Sequence, residues 1–532
     1  MAALAAWSGL VFTATPAAAV DCQSLINKTF GFARIIETSE STGPMTVSSL
    51  DSASQKGVPV QAPFCRVRGM ITPTPSSDIR FEVWLPRMEV WNGRYQGVGN
   101  GGNAGTAQYP AMARALDNGY AVSATDTGHV GTVFESRYAI NQPEKLVDFG
   151  WRAIHETALA TKQIVAEYYG RGAAHSYFNG CSTGGRQGLV EAQRFADDYD
   201  GIVVGAPANN WPLQNAQGAR FFKALASDPA GWIAPEKLAM VNEAALAACG
   251  AVNGAIDDPA RCRFDPATLV CRSGQSRDCL TDKEAGTLRE MYSAGYPPGA
   301  ELMWSVWKMG PSNRRVTGAL SYSFNTGFFR DLVMQNPNWE LRDFNYTEDL
   351  AKAQDGPVGR AVTAESPDLT AFAQRGGKLI HYHGWHDPAI PAVSSIHYYE
   401  SVAEKMGGLE KIDGFYRLFL GTGMSHCTAG PGPDAISGAS GLTAPERDPQ
   451  HDVVEALANW VEKGVAPRQI IATRYVAGDP KKGIEAQRPW CPYPEVARYN
   501  GSGDPRQALS YTCTGQRGGP QASKASSPPS GS

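Results

Sequence analysis

The sequence predicts an α/β protein: a largely parallel sheet covered by helices on both faces and interrupted by one long insertion. Strand and helix patterns alternate over residues 79–204 and again over 369–463, the order in which parallel strands are joined by crossover helices. Hydrophobic residues make up 42% of the 532 residues and charged residues 19%, enough apolar surface for a core and too little charge for a disordered chain. Between the two blocks, residues 211–368 lose the alternation and carry Cys249, Cys262, Cys271 and Cys279, as an inserted lid domain would.

The elements follow in order. Ile79 to Leu85 alternates as a strand before the Trp91-Asn92-Gly93 turn, and Tyr95 to Val98 runs into the glycine-rich stretch 99–105. A short helix from Ala111 to Asn118 is closed by Gly119, and the strand Tyr120 to Ala124 follows. A long helix from Trp151 to Tyr169 stops at Gly170, then come strand Ser176 to Phe178, helix Gly185 to Phe195 and strand Gly201 to Val204. After the insertion, helices Leu369 to Arg375, Val393 to Met406 and Val453 to Lys463 separate the strands Lys378 to Tyr382 and Tyr416 to Leu420.

Composition and charge narrow the function. Lys+Arg 48 against Asp+Glu 52 leaves a net charge of −4, which excludes a basic nucleic-acid binder or a protein held electrostatically on a membrane. With 57 glycines, 36 prolines, 12 tryptophans and 20 tyrosines, the chain reads as an enzyme with long loops around an aromatic-lined interior. Residues 1–19 contain no Lys or Arg, pass through Leu10-Val11-Phe12 and end in Ala17-Ala18-Ala19; a cleaved export signal is expected there. No later segment approaches 18 uninterrupted apolar residues, so no membrane span is expected. The ten cysteines are even in number and form no paired CxxC blocks, which points to disulfides in the periplasm or outside the cell.

Gly180-Cys181-Ser182-Thr183-Gly184 matches G-x-S-x-G where a strand gives way to a helix. That context lets a tight turn lift the Ser182 hydroxyl clear of the sheet at a helix N-terminus; the plainer reading is a serine in an ordinary strand-to-helix turn. A serine nucleophile needs a base and an orienting acid, and in the α/β-hydrolase order the acid comes first and the histidine last. Asp387 follows the strand Lys378 to Tyr382, and His426 follows Tyr416 to Leu420, both at the carboxyl ends where open α/β sheets place ligands. His381, His383 and His386 compete for the base role, but chain order selects His426 and assigns His383 and His386 to the wall. Cys181 precedes the nucleophile and Cys427 follows the base, so an assembled triad brings the two cysteines within reach of a disulfide. Alternatives are chance placement and Cys181 as the nucleophile.

This Cys-Ser, Asp and His-Cys constellation resembles the tannase and feruloyl esterase family, whose relatives include mono(2-hydroxyethyl) terephthalate hydrolase. The resemblance extends over Trp91-Asn92-Gly93-Arg94, Gly180 to Arg186, Tyr199-Asp200-Gly201-Ile202-Val203, Arg375-Gly376-Gly377-Lys378, His426-Cys427, Cys491-Pro492-Tyr493-Pro494 and Gly501-Ser502-Gly503-Asp504. It implies an α/β-hydrolase fold with a large lid that cleaves esters of aromatic acids through Ser182, His426 and Asp387. It further implies the disulfides Cys22 to Cys65, Cys181 to Cys427, Cys249 to Cys262, Cys271 to Cys279 and Cys491 to Cys513. The expected organisation is then a signal (1–19), a hydrolase domain (20–210 and 369–513), a lid (211–368) and a disordered tail (514–532).

Residues 97–102 are formally G-x-G-x-x-G after a strand, with Asp126 beyond the next. A dinucleotide oxidoreductase is the rival this raises. On the hydrolase reading the same loop supplies an oxyanion donor, the Gly102 N–H, beside that of Thr183. The family lid commonly carries a calcium loop; here Cys249 to Asp258 has Gly250 and Asn253 where carboxylates are expected, leaving Asp257 and Asp258 short of the six to eight oxygens calcium takes. No cofactor is therefore expected, and a solvated turn is the reading for this loop. Ile390 is expected in the acyl slot; Trp304, Trp307, Tyr322, Phe324 and Phe328 are candidate covers for the ring, with plain core packing the commoner role for each. The terephthalate-ester relative has an aromatic residue at the Ile390 position and a glutamate where Thr183 stands. The expectation is an exported serine esterase for hydroxycinnamic or hydroxybenzoic esters, with a small aromatic ester as its partner. Tannase or terephthalate-monoester hydrolysis is the near alternative, and a catalytically silent binding protein on the same fold is a different-class one.

Overall fold

The computed structural model describes residues 20–47, 57–273, 278–306, 308–309, 316–317 and 320–515. The expected signal, the tail beyond residue 515 and Trp307 lie outside the described residues.

Ten strands form the central sheet: β1 (Thr29–Phe30), β2 (Ala33–Ser41), β3 (Phe64–Ile71), β4 (Ile79–Pro86), β5 (Arg94–Val98), β6 (Ala121–Thr125), β7 (His175–Cys181), β8 (Gly201–Gly205), β9 (Lys378–Gly384) and β10 (Tyr416–Gly421). Their spatial order is β1-β2-β3-β4-β6-β5-β7-β8-β9-β10. From β6 to β10 every pairing is parallel; from β1 to β6 every pairing is antiparallel. The expectation of a largely parallel sheet is corrected to a mixed one. The seven residues 72–78 between β3 and β4 are too few for a crossover helix, so that pair must be antiparallel. The N-terminal strands also alternate, with Ala33 and Ile35 buried between exposed neighbours, as a sheet with one solvated face does. The parallel strands are short apolar runs buried on both faces, Gly201–Gly205 throughout.

Helix ends follow local chemistry. The helix Ala153–Tyr169 stops at Gly170 in the left-handed region, and Val453–Lys463 starts where the Asp452 side chain accepts from the N–H groups of Val454 and Glu455. Trp151, expected inside the long helix, belongs to a π turn over Asp148–Arg152.

Residues 211–368 leave after β8 and return to β9, which pairs directly with β8. They are more regular than the lost alternation suggested, with helices Trp211–Ser227, Pro235–Ala248, Asp282–Ser293, Leu320–Gly327 and Tyr346–Asp355. Their apolar faces close on a cluster containing Phe222, Leu288, Trp304, Phe329 and Phe344, which also takes in Phe149 and Ile390 from the sheet side. Two antiparallel ribbons, Ile470–Tyr475 with Ile484–Trp490 and Val496–Tyr499 with Tyr511–Thr514, follow the last helix. All five disulfides implied by the resemblance are present.

Candidate active site

Ser182 stands where β7 ends and the helix Thr183–Arg194 begins, at φ 63° and ψ −120°. A non-glycine residue held there stores about 1–3 kcal/mol of backbone strain and persists only where its surroundings over-determine it. Those surroundings are the β8 strand end, where the Ser182 N–H donates to the Gly205 carbonyl at 2.9 Å, and the glycine-rich loop, where the Gly184 N–H donates to Asn100 at 2.7 Å. A side chain on Gly180 would put its Cβ 2.4 Å from the Gly184 carbonyl oxygen, which explains the two motif glycines by close approach.

Asp387 and His426 come from the loops after β9 and β10. Asp387 is 2% exposed; its Oδ1 accepts from the N–H groups of Ala389 at 2.8 Å and Ile390 at 2.9 Å, and its Oδ2 lies 2.6 Å from His426 Nδ1. Burial pushes the Asp387 carboxyl up, but the His426 charge and the hydrogen bonds of His383 and His426 outweigh it and hold it well below the usual carboxylate range. Burial likewise pulls His426 down, and the Asp387 charge and hydrogen bond outweigh it, leaving the imidazole above its ordinary 6.5. With Nδ1 on the carboxylate and its side chain 28% exposed, His426 presents Nε2 as the nitrogen free to exchange a proton. The Cys181–Cys427 disulfide, with a Cα separation of 6.1 Å, ties the residue before Ser182 to the residue after His426.

The glycine-rich loop is fastened from below. Asn100 donates from Nδ2 to the carbonyls of Thr106 and Thr125 and exchanges two hydrogen bonds with Gln187. Gly102 has φ +52°, and its carbonyl accepts from Thr183 Oγ1 at 2.6 Å. Within the described residues neither the Gly102 nor the Thr183 N–H meets an acceptor. Asp126 is buried and accepts from the N–H groups of Arg80 and Gly128, and the next helix begins only at Tyr109. The stretch 97–102 therefore opens no helix, and the Asp126 carboxylate beyond it is buried with Oδ1 already on two main-chain N–H groups.

Three placements differ from the sequence reading. His383, assigned to the wall, is wholly buried with Nε2 3.2 Å from Asp387 Oδ2; the motif rules name three triad residues and carry no signal for a fourth. His386 is buried as expected of a wall residue, and burial lowers it to about 4. Trp304 is 2% exposed and packs on Tyr292 and Tyr296, and Phe328 is buried against Trp211 and Phe329, so both fill the interior of the insertion rather than cover a ring. Phe324 does reach the loop: a Cβ on Gly102 would meet its ring at 3.0 Å. The Tyr322 side chain lies outside the described residues. Ile390 is 6% exposed, with its backbone on Asp387. Phe134, 45% exposed and 5.6 Å from the Phe324 ring, was missed, because an aromatic in a loop has no periodicity to mark it.

The donor set between Cys249 and Cys262 does not fit calcium. Asp257 is ion-paired to Arg488, and Asp258 to Arg498 and Arg261, so arginines already neutralise the carboxylates. Two groups with metal-ligand side chains occur among the described residues, His155–Glu191–Asp198 and Glu446–Asp448–His451; each histidine is already hydrogen-bonded to its aspartate, and neither group includes Ser182, Asp387 or His426.

Comparison with known proteins places these features in a family. A family model described as tannase and feruloyl esterase matches residues 65–514. An uncharacterized esterase of Xanthomonas campestris is 36% identical over 493 residues, covering 85% of this chain and 84% of the relative. A probable feruloyl esterase B-2 of Aspergillus terreus is 34% identical over 88% of each chain. The crystal structure of feruloyl esterase B from Aspergillus oryzae superposes with a TM-score of 0.83 at 30% identity, over 93% of this chain and all of that one.

Proposed function

The chain belongs to the tannase and feruloyl esterase family and is a carboxylic ester hydrolase of α/β-hydrolase fold; from that premise we propose that it cleaves esters of hydroxycinnamic or hydroxybenzoic acids through Ser182, His426 and Asp387. The observation that carries the proposal is the 2.6 Å Asp387–His426 hydrogen bond on a loop bridged by Cys427 to the residue before Ser182.

The Ser182 hydroxyl attacks the ester carbonyl while His426 Nε2 takes its proton, and Asp387 keeps the Nδ1–H tautomer and offsets the imidazolium charge. The tetrahedral oxyanion forms between the Gly102 and Thr183 N–H groups, each such donor being worth roughly 3 to 4 kcal/mol. His426 then protonates the leaving alcohol, leaving an acyl-enzyme. Water enters, activated by the same nitrogen, and releases the acid. The half-buried Phe324 and the Ile390 wall supply an apolar slot for the acyl ring. Export is part of the proposal: all ten cysteines are paired among the described residues, as suits an oxidising compartment, and no helix there is long and apolar enough to cross a membrane.

The test is hydrolysis of methyl ferulate, methyl gallate and mono(2-hydroxyethyl) terephthalate by the purified protein and Ser182→Ala. Cleavage of the first, lost by about 10⁴-fold or more in the variant, is the expected result; gallate or terephthalate cleavage alone would move the acyl assignment. The base must be neutral to act, and His426 is held above 6.5. The rate should therefore fall with acidification through a midpoint above 6.5, read from kcat/KM against pH; a midpoint below it would mean Asp387 does not pair with His426 in solution.

A further inference from the structure

Behind Asp387 lies a line of buried polar side chains that the three-residue mechanism does not use. His383 Nε2 sits 3.2 Å from Asp387 Oδ2 and 2.9 Å from the Ile390 carbonyl oxygen. Its Nδ1 lies 2.6 Å from Ser395 Oγ, which lies 2.8 Å from His381 Nε2, and His381 Nδ1 lies 2.8 Å from the Tyr416 hydroxyl. His381, His383, Ser395 and Tyr416 are all 0% exposed. Buried polar groups need partners, and each of these finds one in its neighbour.

The hydrogens can be assigned from one end. His383 Nε2 faces a carboxylate oxygen and a carbonyl oxygen, both acceptors, so it carries the proton. A neutral His383 then accepts at Nδ1 from the Ser395 O–H. Ser395 has spent its only hydrogen and accepts from His381 Nε2–H, and His381 Nδ1 accepts from the Tyr416 O–H. Burial and the neighbouring His383 keep His381 well below its ordinary value, in agreement with a neutral ring. Every link donates toward Asp387, where the line and the His426 Nδ1–H meet on the same oxygen, Oδ2.

We propose that His383 is a positioning residue of the catalytic machinery, locked in its Nε2–H tautomer by the Tyr416–His381–Ser395 line so that one N–H fixes the Asp387 carboxylate and the Ile390 carbonyl together. This rests on the triad reading above. The imidazole settles which way the carboxylate plane faces His426, and it joins the acid to the residue assigned to the acyl wall. The ionisable groups around Asp387 are His383 from β9, His426 from the loop after β10, and Tyr296 from the insertion, whose phenol feels the Asp387 charge. Removing the His383 N–H leaves more of the carboxylate charge for His426, which then stays protonated to higher pH.

The experiment reads Ser182 itself, so it does not depend on which ester is natural. The rate of Ser182 labelling by a fluorophosphonate is followed against pH in the full chain and in His383→Leu, His383→Gln, Ser395→Ala and Ser182→Ala, with thermal melting as the fold control. His383→Leu should slow labelling by roughly 10- to 100-fold, the cost of a misplaced catalytic group, and move the acid limb upward. His383→Gln, whose amide can still donate to Asp387, should recover most of the rate. Ser395→Ala, which frees the tautomer without touching the acid, should move the limb in the same direction by less. An unchanged rate and acid limb in both His383→Leu and Ser395→Ala overturns the proposal. Should His383→Leu fail to fold, an unchanged Ser395→Ala profile overturns it alone. Labelling that persists in Ser182→Ala would instead sink the triad reading.

Discussion

The sheet and the insertion treat their functional residues differently. The candidate nucleophile and acid stand after strand ends and are tied by hydrogen bonds to the main chain, Ser182 to Gly205 and Asp387 to the N–H groups of Ala389 and Ile390, while His426 is held by Asp387 and by the disulfide of its neighbour Cys427. The insertion offers side chains alone. Phe324 leans on Gly102 from the helix Leu320–Gly327, while Trp304 and Phe328 are spent on the insertion's own core. On the proposed function, chemistry is placed by strand ends tied through the main chain, and recognition of the acyl group by loop and helix surfaces that can vary without disturbing it.

Changes on the sheet side should act on turnover, and those facing the insertion on substrate choice. Short of removing Ser182 itself, the largest effect is expected at Gly102→Ala, where φ is +52° and the new Cβ would lie 2.4 Å from the Val133 carbonyl. Displacement of that N–H should lower kcat by about 10²–10³-fold with little change in KM, and a variant as fast as the parent would remove Gly102 from the oxyanion site. Next come the disulfides. Replacing Cys181 and Cys427 by alanine removes a bond spanning 246 residues, worth up to about 5 kcal/mol by chain entropy, and should also cut turnover by about tenfold or more as the two loops part. Replacing Cys271 and Cys279, a separation of 8, should cost no more than about 2.5 kcal/mol and leave kcat as it was. Equal losses of activity in the two double variants would erase the contrast between the regions. The smallest change is expected at Ile390→Ala: a few methyl groups in an apolar slot shift the ratio of kcat/KM between ferulate and gallate esters by roughly tenfold, and an unchanged ratio would place the acyl group elsewhere.

Legibility in the sequence follows the same division. The parallel strands β5 to β10 were readable within a few residues because buried apolar runs and glycine stops leave strong local marks, and the helices Val393–Met406 and Val453–Lys463 were read to the residue. The antiparallel strands β2 and β3 were not read, since one solvated face thins the apolar signal. Ser182, Asp387 and His426 stood out through motif and chain order. His383 did not, because its part depends on a serine twelve residues on in another element and a tyrosine on the neighbouring strand, proximities that spacing does not encode. The helices of the insertion carry ordinary periodicity, and the cysteines and prolines between them hid it.

Four of the five disulfides join cysteines that are consecutive along the chain; Cys181–Cys427 alone skips over others, four cysteines lying between its partners. An oxidase that pairs thiols in the order they emerge would offer Cys181 to Cys249, and so displace every later pair as far as Cys427. Under such an oxidase the Cys181–Cys427 bond would be reached by exchange after oxidation, so the yield of correctly paired protein should rise with the isomerase supplied during refolding.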